Sequence, residues 1–423
     1  MPSRKTAKSR PSAAKVSRGA AAPAPKIQAR RLGGFTESVI REQTRLALAH
    51  GAVNLAQGFP DFPAAEAVKA LAREAVDKDF NQYSMTWGLP SLREAIARKA
   101  RSYNGIAADP ERNVTVTCGS TEAMAAAFLS LLDPGREVIL FQPFYENYNP
   151  DAHLAGAKPV YVTLREPDWT FDPAELARAF NDKTAALVLC TPHNPTGKVF
   201  TRAELDVMAG LCAKWGVTVF SDEIYEHILY DGAVHVSPAS VPGLEDRTVT
   251  VNSASKTYGI TGWRVGWAIA PAPMTDSLRQ VHDFLTVCAA TPLQEAVRGA
   301  LALPESFYKD LADHYRRRRD FLVDGLESLG FRCHVPKGAY YVMADVGDIL
   351  KGRFDDEADL ARHLVREVKV AAVPGSSFYR TAPGIRGGRR AGVPEPKLRF
   401  CFCKKEETLA LALERLTAFR RTL

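Results

Sequence analysis

No stretch of the 423 residues holds the roughly 20 uninterrupted apolar residues that a membrane-spanning helix needs, which excludes a protein of that kind. No Cys-x-x-Cys occurs among the seven cysteines, at 118, 190, 212, 288, 333, 401 and 403. Neither a disulfide framework nor a zinc site is therefore expected, and a reducing compartment fits better than secretion. Only Cys401 and Cys403 are close together, where alternation along a strand makes both core-facing. No Gly-x-Gly-x-x-Gly follows a strand-like run, which removes a dinucleotide-dependent dehydrogenase.

Acid is missing from one region only. Residues 1–31 carry nine Lys/Arg and no Asp or Glu, so the net charge of +7 belongs to a tail, and the rest of the chain sums to about −2. Rich in Ala, Ser and Pro, that tail reads as disordered. It has the Arg- and Ser-rich, acid-poor composition of a transit segment, although its prolines argue against an amphipathic helix. Any nucleic-acid binding by it would be nonspecific. A cytoplasmic protein is expected, with organelle targeting by the tail left open. The remainder, with 46% hydrophobic and 24% charged residues overall, has the composition of a globular protein with a sizeable core.

From Leu32 onward short Val/Ile-rich runs alternate with helical patterns, without linker or repeat. Expected strands are Val114–Thr117, Glu137–Phe141, Pro159–Val162, Ala186–Cys190, Val217–Asp222, Thr248–Asn252 and Val265–Ala270. Helices are expected at Thr121–Leu132, Leu176–Phe180 and Ala203–Lys214. Near-continuous apolar strands separated by helices read as a mostly parallel α/β sheet covered on both faces. Beyond it lie a charged helix at Phe307–Leu329, with Arg316–Arg319 as one solvated turn, a helix near Glu357–Glu367, and strands at Ala339–Asp345 and Lys397–Cys403. These form a smaller α+β unit whose other half is Phe35–Gly58, making it discontinuous. The expected division is a tail at 1–31, an N-terminal segment of the small domain at 32–70, a large domain at 71–310 and a small C-terminal domain at 311–423.

In an open parallel sheet, ligands bind beyond the carboxyl ends of the strands. Polar and glycine-rich residues fall there repeatedly. Cys118-Gly119-Ser120-Thr121-Glu122 turns into a helix start suited to a phosphate, although capped helix starts are common. Thr191-Pro192-His193-Asn194-Pro195-Thr196-Gly197-Lys198 is a rigid turn that offers the Asn194 amide; Asn-Pro-x-Gly is by itself a turn signal. Asp222, Glu223 and Tyr225 end the fifth strand, and an acid on a buried strand needs a donor or cation. Ser253-Ala254-Ser255-Lys256 ends the sixth, followed by Gly262-Trp263-Arg264-Val265-Gly266. A lysine there is rarely buried unless paired or chemically used, and desolvation lowers its pKa toward a neutral, nucleophilic amine. Taken alone, Lys256 reads better as a surface lysine than as a buried one. Taken together, an amine able to condense with an aldehyde, an acid for a protonated ring nitrogen, a phenol and amide for a ring oxygen, and a phosphate cup describe a pyridoxal phosphate site.

From about Phe35 to the C-terminus the chain resembles the class I/II aminotransferases of the fold type I pyridoxal phosphate enzymes, in the kynurenine/glutamine/methionine aminotransferase-like branch. The resemblance rests on Asn54-Leu55-Ala56-Gln57-Gly58-Phe59-Pro60-Asp61-Phe62-Pro63, Asn81-Gln82-Tyr83, Asn194-Pro195-Thr196-Gly197, Ser221-Asp222-Glu223-Ile224-Tyr225, Ser253-Ala254-Ser255-Lys256 and Arg399-Phe400. It implies a large domain with a mostly parallel seven-stranded sheet between helices, plus the smaller discontinuous α+β domain.

The same resemblance implies roles. Lys256 holds the cofactor and then moves a proton between substrate and cofactor. Asp222 keeps the pyridine nitrogen protonated, and Tyr225 and Asn194 reach the ring oxygen. Tyr145 stacks on the ring; an exposed loop tyrosine is the ordinary alternative. Ser120, Thr121, Ser253 and Arg264 hold the phosphate, joined by Tyr83 from a partner subunit of a homodimer. Arg399 forks onto the substrate carboxylate, with Asn194 and the Gly58 backbone nearby. No metal is expected. The activity implied is ping-pong transfer of an amino group from a sulfur-containing, aromatic or glutamine-like L-amino acid to a 2-oxo acid, because no second arginine marks a dicarboxylate donor.

Departures and alternatives accompany this reading. Cys190 stands where many relatives carry an asparagine that helps bind the carboxylate, and a thiol is a poor donor. The segment 378–396, with Arg380, Arg386, Arg389 and Arg390, reads as a solvated loop, His193 as structural, and Trp87 and Tyr340 receive no role. A carbon–sulfur beta-lyase would use the same site. A non-catalytic regulatory domain is a remote alternative, because a tail of about 30 residues is too short for a DNA-binding module.

Overall fold

The structure, a computed structural model, describes residues 29–380 and 395–423; most of the basic tail and Arg386, Arg389 and Arg390 lie outside them. A seven-stranded sheet is built from β2 (Val114–Thr117), β3 (Glu137–Gln142), β4 (Lys158–Thr163), β5 (Thr184–Cys190), β6 (Thr218–Asp222), β7 (Thr248–Ser253) and β8 (Gly266–Ile269). Its order is β2-β8-β7-β6-β5-β3-β4, with β8 antiparallel to both neighbours and the other pairs parallel. The expected strands are all present, shifted by a residue or two at their ends.

These strands are apolar along their length because both sheet faces are covered. Ala186, Val188 and Cys190 of β5 pack with Phe128 and Phe220 on one face. Leu187 and Leu189 pack with Leu205 and Met208 on the other. Alternation thus feeds two cores from one strand. Burying each such Leu or Phe contributes ~1.5–3 kcal/mol. The helix Arg202–Trp215 over the second face starts with a Thr201/Glu204 capping box and ends at Gly216, whose φ of 67° closes it in the left-handed region.

A second, antiparallel sheet runs β12-β13-β10-β9, from β9 (Arg332–His334), β10 (Tyr341–Asp345), β12 (Val373–Pro374) and β13 (Lys397–Cys401). The N-terminal segment joins this region through β1 (Val53–Asn54), which pairs in parallel with β11 (Val370–Ala371). The expected strand from Ala339 starts only at Tyr341, because Ala339 sits at φ 57°. The helix expected near Glu357–Glu367 is α-helical over Glu357–His363 and widens to a π-turn over Leu364–Val368.

One expectation is corrected here. The long helix Glu305–Ser328 does not present Arg316–Arg319 as a solvated turn. Arg318 and Arg319 are buried: Arg318 Nε donates to the Lys404 carbonyl at 2.6 Å, and Arg319 pairs with Asp231 and stacks on the Tyr230 ring at 4.8 Å. A guanidinium with a partner for each face tolerates burial that a lysine would resist. All seven cysteines are free, with Cys401 and Cys403 fully buried. Among the described residues, no helix is long and apolar enough to cross a membrane.

Candidate active site

The topology brings the carboxyl ends of β2, β3, β5, β6 and β7 to one edge of the sheet, and β8, running the other way, begins there. A cavity of about 440 Å³ opens at that edge, within the range of small-molecule sites. Its far wall comes from Gly58, Tyr341 and Arg399.

At the end of β7, the Ser253 hydroxyl accepts the Ser255 amide at 3.3 Å and starts the single helical turn Ala254–Thr257 that projects Lys256. Lys256 Nζ donates to the Gly58 carbonyl at 3.3 Å and lies 5.8 and 5.7 Å from the ring centres of Tyr225 and Tyr340. Burial lowers its pKa to about 8, with Arg264 and Arg399 acting in the same direction and Asp222 opposing. About a tenth of the amine is therefore neutral at pH 7, far more than for an ordinary lysine.

Asp222 ends β6 and is 5% exposed. Its Oδ2 accepts from the Tyr148 phenol at 2.7 Å, and its Oδ1 meets the Ile224 amide at 3.4 Å. Burial raises its pKa to about 6, resisted by the Tyr148 hydrogen bond, the Ile224 amide and Lys256. Its neighbour Glu223 is occupied elsewhere, by Ser221, Ser237 and His235. Tyr225 Oη lies 3.2 Å from Tyr341 Oη.

Arg399, in the middle of β13, is fully buried. Nη1 donates to Asn194 Oδ1 and Nη2 to the Ala56 carbonyl, both at 2.7 Å. The guanidinium lies between the rings of Tyr341, at 4.1 Å, and Phe378, at 4.8 Å. Among the described residues it has no carboxylate partner, and Nε has no hydrogen bond. A buried cation in that condition calls for an anion from outside the chain. Gly58 must be glycine, since an added Cβ would lie 2.0 Å from Tyr341 Oη.

At the opposite end, no side chain caps the helix Ser120–Leu131. Gly119 precedes it at φ 80°, and a Cβ there would lie 2.2 Å from Arg264 Nη2. Gly266 is required as well, since its Cβ would meet the Ser120 amide nitrogen at 2.5 Å. Arg264 donates to the carbonyls of Thr261 at 3.0 Å and Cys118 at 3.4 Å. Among the described residues, buried Ser255 Oγ has no partner. Uncapped helical amides, an unpartnered hydroxyl and a guanidinium without a carboxylate suit a phosphate.

Of the residues expected from sequence, Lys256, Asp222, Tyr225, Asn194, Arg399, Gly58, Ser120, Thr121, Tyr145 and Arg264 line this cavity. Ser253 does not: its hydroxyl caps the lysine turn, and Ser255 takes the place on the wall. Tyr83 does not reach the cavity of its own chain and stands 83% exposed. Cys190 lines the wall, but its thiol points to the Pro192 carbonyl at 3.4 Å. His193 is buried in the turn against Thr196, at 2.7 Å, and burial lowers its pKa to about 3, consistent with a structural role.

Several residues escaped the sequence reading. Tyr148 and Tyr340 hold Asp222 and the Gly58 carbonyl, the latter at 2.9 Å. Asp151 lines the cavity with an unpartnered Oδ2, and burial raises its pKa to about 7. Arg41 and Glu146 also stand on the wall, so a further arginine is present where none was expected. No local signal marked Tyr148, which lies beyond the end of β3 and opens the helix Tyr148–Leu154.

An amine and an acid on adjoining strand ends, between a phosphate cup and a carboxylate fork, define a pyridoxal phosphate-dependent transferase. The family model "Aminotransferase class I and II" matches residues 50–416, and the chain belongs to that family. It is 39% identical over 390 residues to a probable N-succinyldiaminopimelate aminotransferase of Mycobacterium tuberculosis, covering 92% of this chain and 97% of that protein. It is 36% identical over 430 residues to human kynurenine–oxoglutarate transaminase 1, covering 94% and 99%. A solved structure from Escherichia coli, described as identifying a methionine aminotransferase function, superposes with a TM-score of 0.86 at 35% identity, covering 93% of this chain and all of that one. The chain is thus a transaminase that depends on pyridoxal phosphate.

Proposed function

We propose that the protein is a homodimeric transaminase of ping-pong type that takes the amino group from a sulfur-containing, aromatic or glutamine-like L-amino acid. Pyridoxal phosphate, when bound, supplies an aldehyde that condenses with amines and a ring that accepts electrons from the substrate alpha carbon. Lys256 would carry the covalent attachment and, when free, would be the base that takes and returns the alpha proton. Asp222 would pair with the protonated ring nitrogen, Tyr225 and Asn194 would serve the ring oxygen, and Tyr145 the ring face. Ser120, Thr121, Ser255 and Arg264 would hold the phosphate. Arg399 binds the substrate carboxylate with Asn194 at its side.

The observation that carries this reading is the fully buried Arg399 guanidinium with an unpartnered Nε on the same cavity as Lys256 and Asp222. For the donor, Ile40, Phe59 and Tyr145 give apolar surface to the wall, and Arg41 and Glu146 offset each other in charge. That balance suits uncharged side chains, and the named kynurenine and methionine activities of relatives point the same way. For the dimer, the segment carrying exposed Tyr83 and Met85 is tied to the helix carrying exposed Phe284 and Leu285 by His282 Nε2 and the Thr86 carbonyl, at 2.8 Å. This patch suits a second copy, whose cavity Tyr83 then enters. The free thiols accord with a cytoplasmic, reducing setting.

The test is an absorbance titration of the cofactor-loaded protein with candidate amino acids. A true donor converts the aldehyde form to the amine form, and a 2-oxo acid reverses it. No conversion with any neutral donor overturns the donor class. Pyruvate release from cystathionine without an oxo acid would establish beta-elimination instead.

A further inference from the structure

We propose that Tyr148 is a positioning residue that keeps Asp222 ionised and aimed, an inference that rests on the assignment of Asp222 to the cofactor ring nitrogen. The Asp222 carboxylate is almost wholly enclosed. An anion in such a place protonates unless donors or cations hold its charge. The groups facing it are few. Tyr148 donates to Oδ2 at 2.7 Å, the one short hydrogen bond the carboxylate makes among the described residues, and the Ile224 amide reaches Oδ1 only at 3.4 Å. Cys190 stands opposite in the strand register, and Lys256 supplies positive charge. Glu223 is bound on its far side by Ser221, Ser237 and His235.

The phenol is built to be a donor. Tyr148 is 3% exposed, and its ring packs edge-on against Tyr145, centres 5.6 Å apart at 80°. Its backbone opens the helix Tyr148–Leu154, so the side chain is held from a rigid element. Burial and the nearby Asp222 charge push its pKa well above 10. The hydroxyl therefore keeps its proton throughout the working pH range. Burial and Asp222 likewise push up the Cys190 thiol. Tyr148 and Cys190 are thus both neutral beside the acid, and the strong donor on Oδ2 leaves Oδ1 with capacity for a second strong donor. A single fixed donor on one oxygen also sets the rotation of the carboxylate. Tyr148 also stands on the cavity wall, but its phenol is directed to Asp222, and the role assigned to it is exerted through that carboxylate.

The experiment compares wild type, Tyr148→Phe, Asp222→Asn and the double variant, all loaded with cofactor. It reads the dissociation constant for pyridoxal phosphate and the pH midpoint of the bound cofactor's absorbance. Removing a hydrogen bond to a buried charge should weaken cofactor retention by about 10- to 100-fold and move the midpoint. In the Asp222→Asn background the same change should have little further effect, because the charge it serves is gone. Wild-type retention and midpoint in Tyr148→Phe would overturn the proposal, and so would an equal loss in both backgrounds, which marks a purely packing role. An Asp222→Asn protein indistinguishable from wild type would overturn the assignment of Asp222 itself and this inference with it.

Discussion

Arg399 and Arg264 face the same cavity, and both suit an anion, but they are held in opposite ways. Arg399 sits mid-strand, fully buried, with two nitrogens engaged at 2.7 Å and a ring on each side. Arg264 is exposed on a turn at φ 58°, with carbonyl contacts at 3.0 and 3.4 Å. The first is a preorganised fork whose charge has no other partner. The second shares its anion with helical amides and the hydroxyls around them. A pre-set buried donor should therefore be irreplaceable, and a shared exposed one partly dispensable.

The largest effect belongs to the residue between these two poles. Lys256→Ala should lower turnover by about 10⁴-fold, measured as transamination of the best donor, while anion binding at both poles persists. Next, Arg399→Lys should cut kcat/KM for the amino acid by about 100-fold, mainly through KM, with cofactor retention unchanged. A cofactor loss as large as the KM effect would break the contrast, because it would mean the fork also holds the phosphate end. Gly119→Ala should weaken cofactor retention by about tenfold in an equilibrium titration, since its Cβ displaces Arg264 and the position needs positive φ. Arg264→Lys should be milder still, several-fold on retention, with little change in amino acid KM.

A pH experiment sharpens the comparison from the electrostatic side. Lys256 is protonated below about 8 in the free protein, so condensation with the cofactor aldehyde should accelerate as pH rises through that value. Arg399 lowers this pKa, so Arg399→Met should move the midpoint upward, because removing a cation favours the protonated amine. A stopped-flow pH profile of cofactor binding reads the shift.

Much of this was legible because chemistry interrupts apolar strands. Asp222 and Lys256 stand at the ends of runs that are otherwise buried, and Arg399 is a charge inside one. Gly119 and Gly266 were visible as a glycine-rich turn, although the reason for each, a side chain or backbone within 3 Å of the missing Cβ, needs coordinates. Other features left no local trace. The reversed direction of β8 follows from the crossover path, not from its residues. Ser253 and Ser255 are equivalent in sequence, and only the hydrogen bond inside the turn tells which one caps it. Tyr148 was missed because its partner lies 74 residues away. Arg318 and Arg319 read as solvated because their burial depends on Asp231 and the Lys404 carbonyl, distant in the chain.

The most direct test is borohydride reduction of the cofactor-loaded protein followed by peptide mass analysis. A pyridoxyl phosphate mass on the peptide containing Lys256, and its loss in Lys256→Ala, is the result expected. The same label on another lysine, or none anywhere, would contradict the assignment.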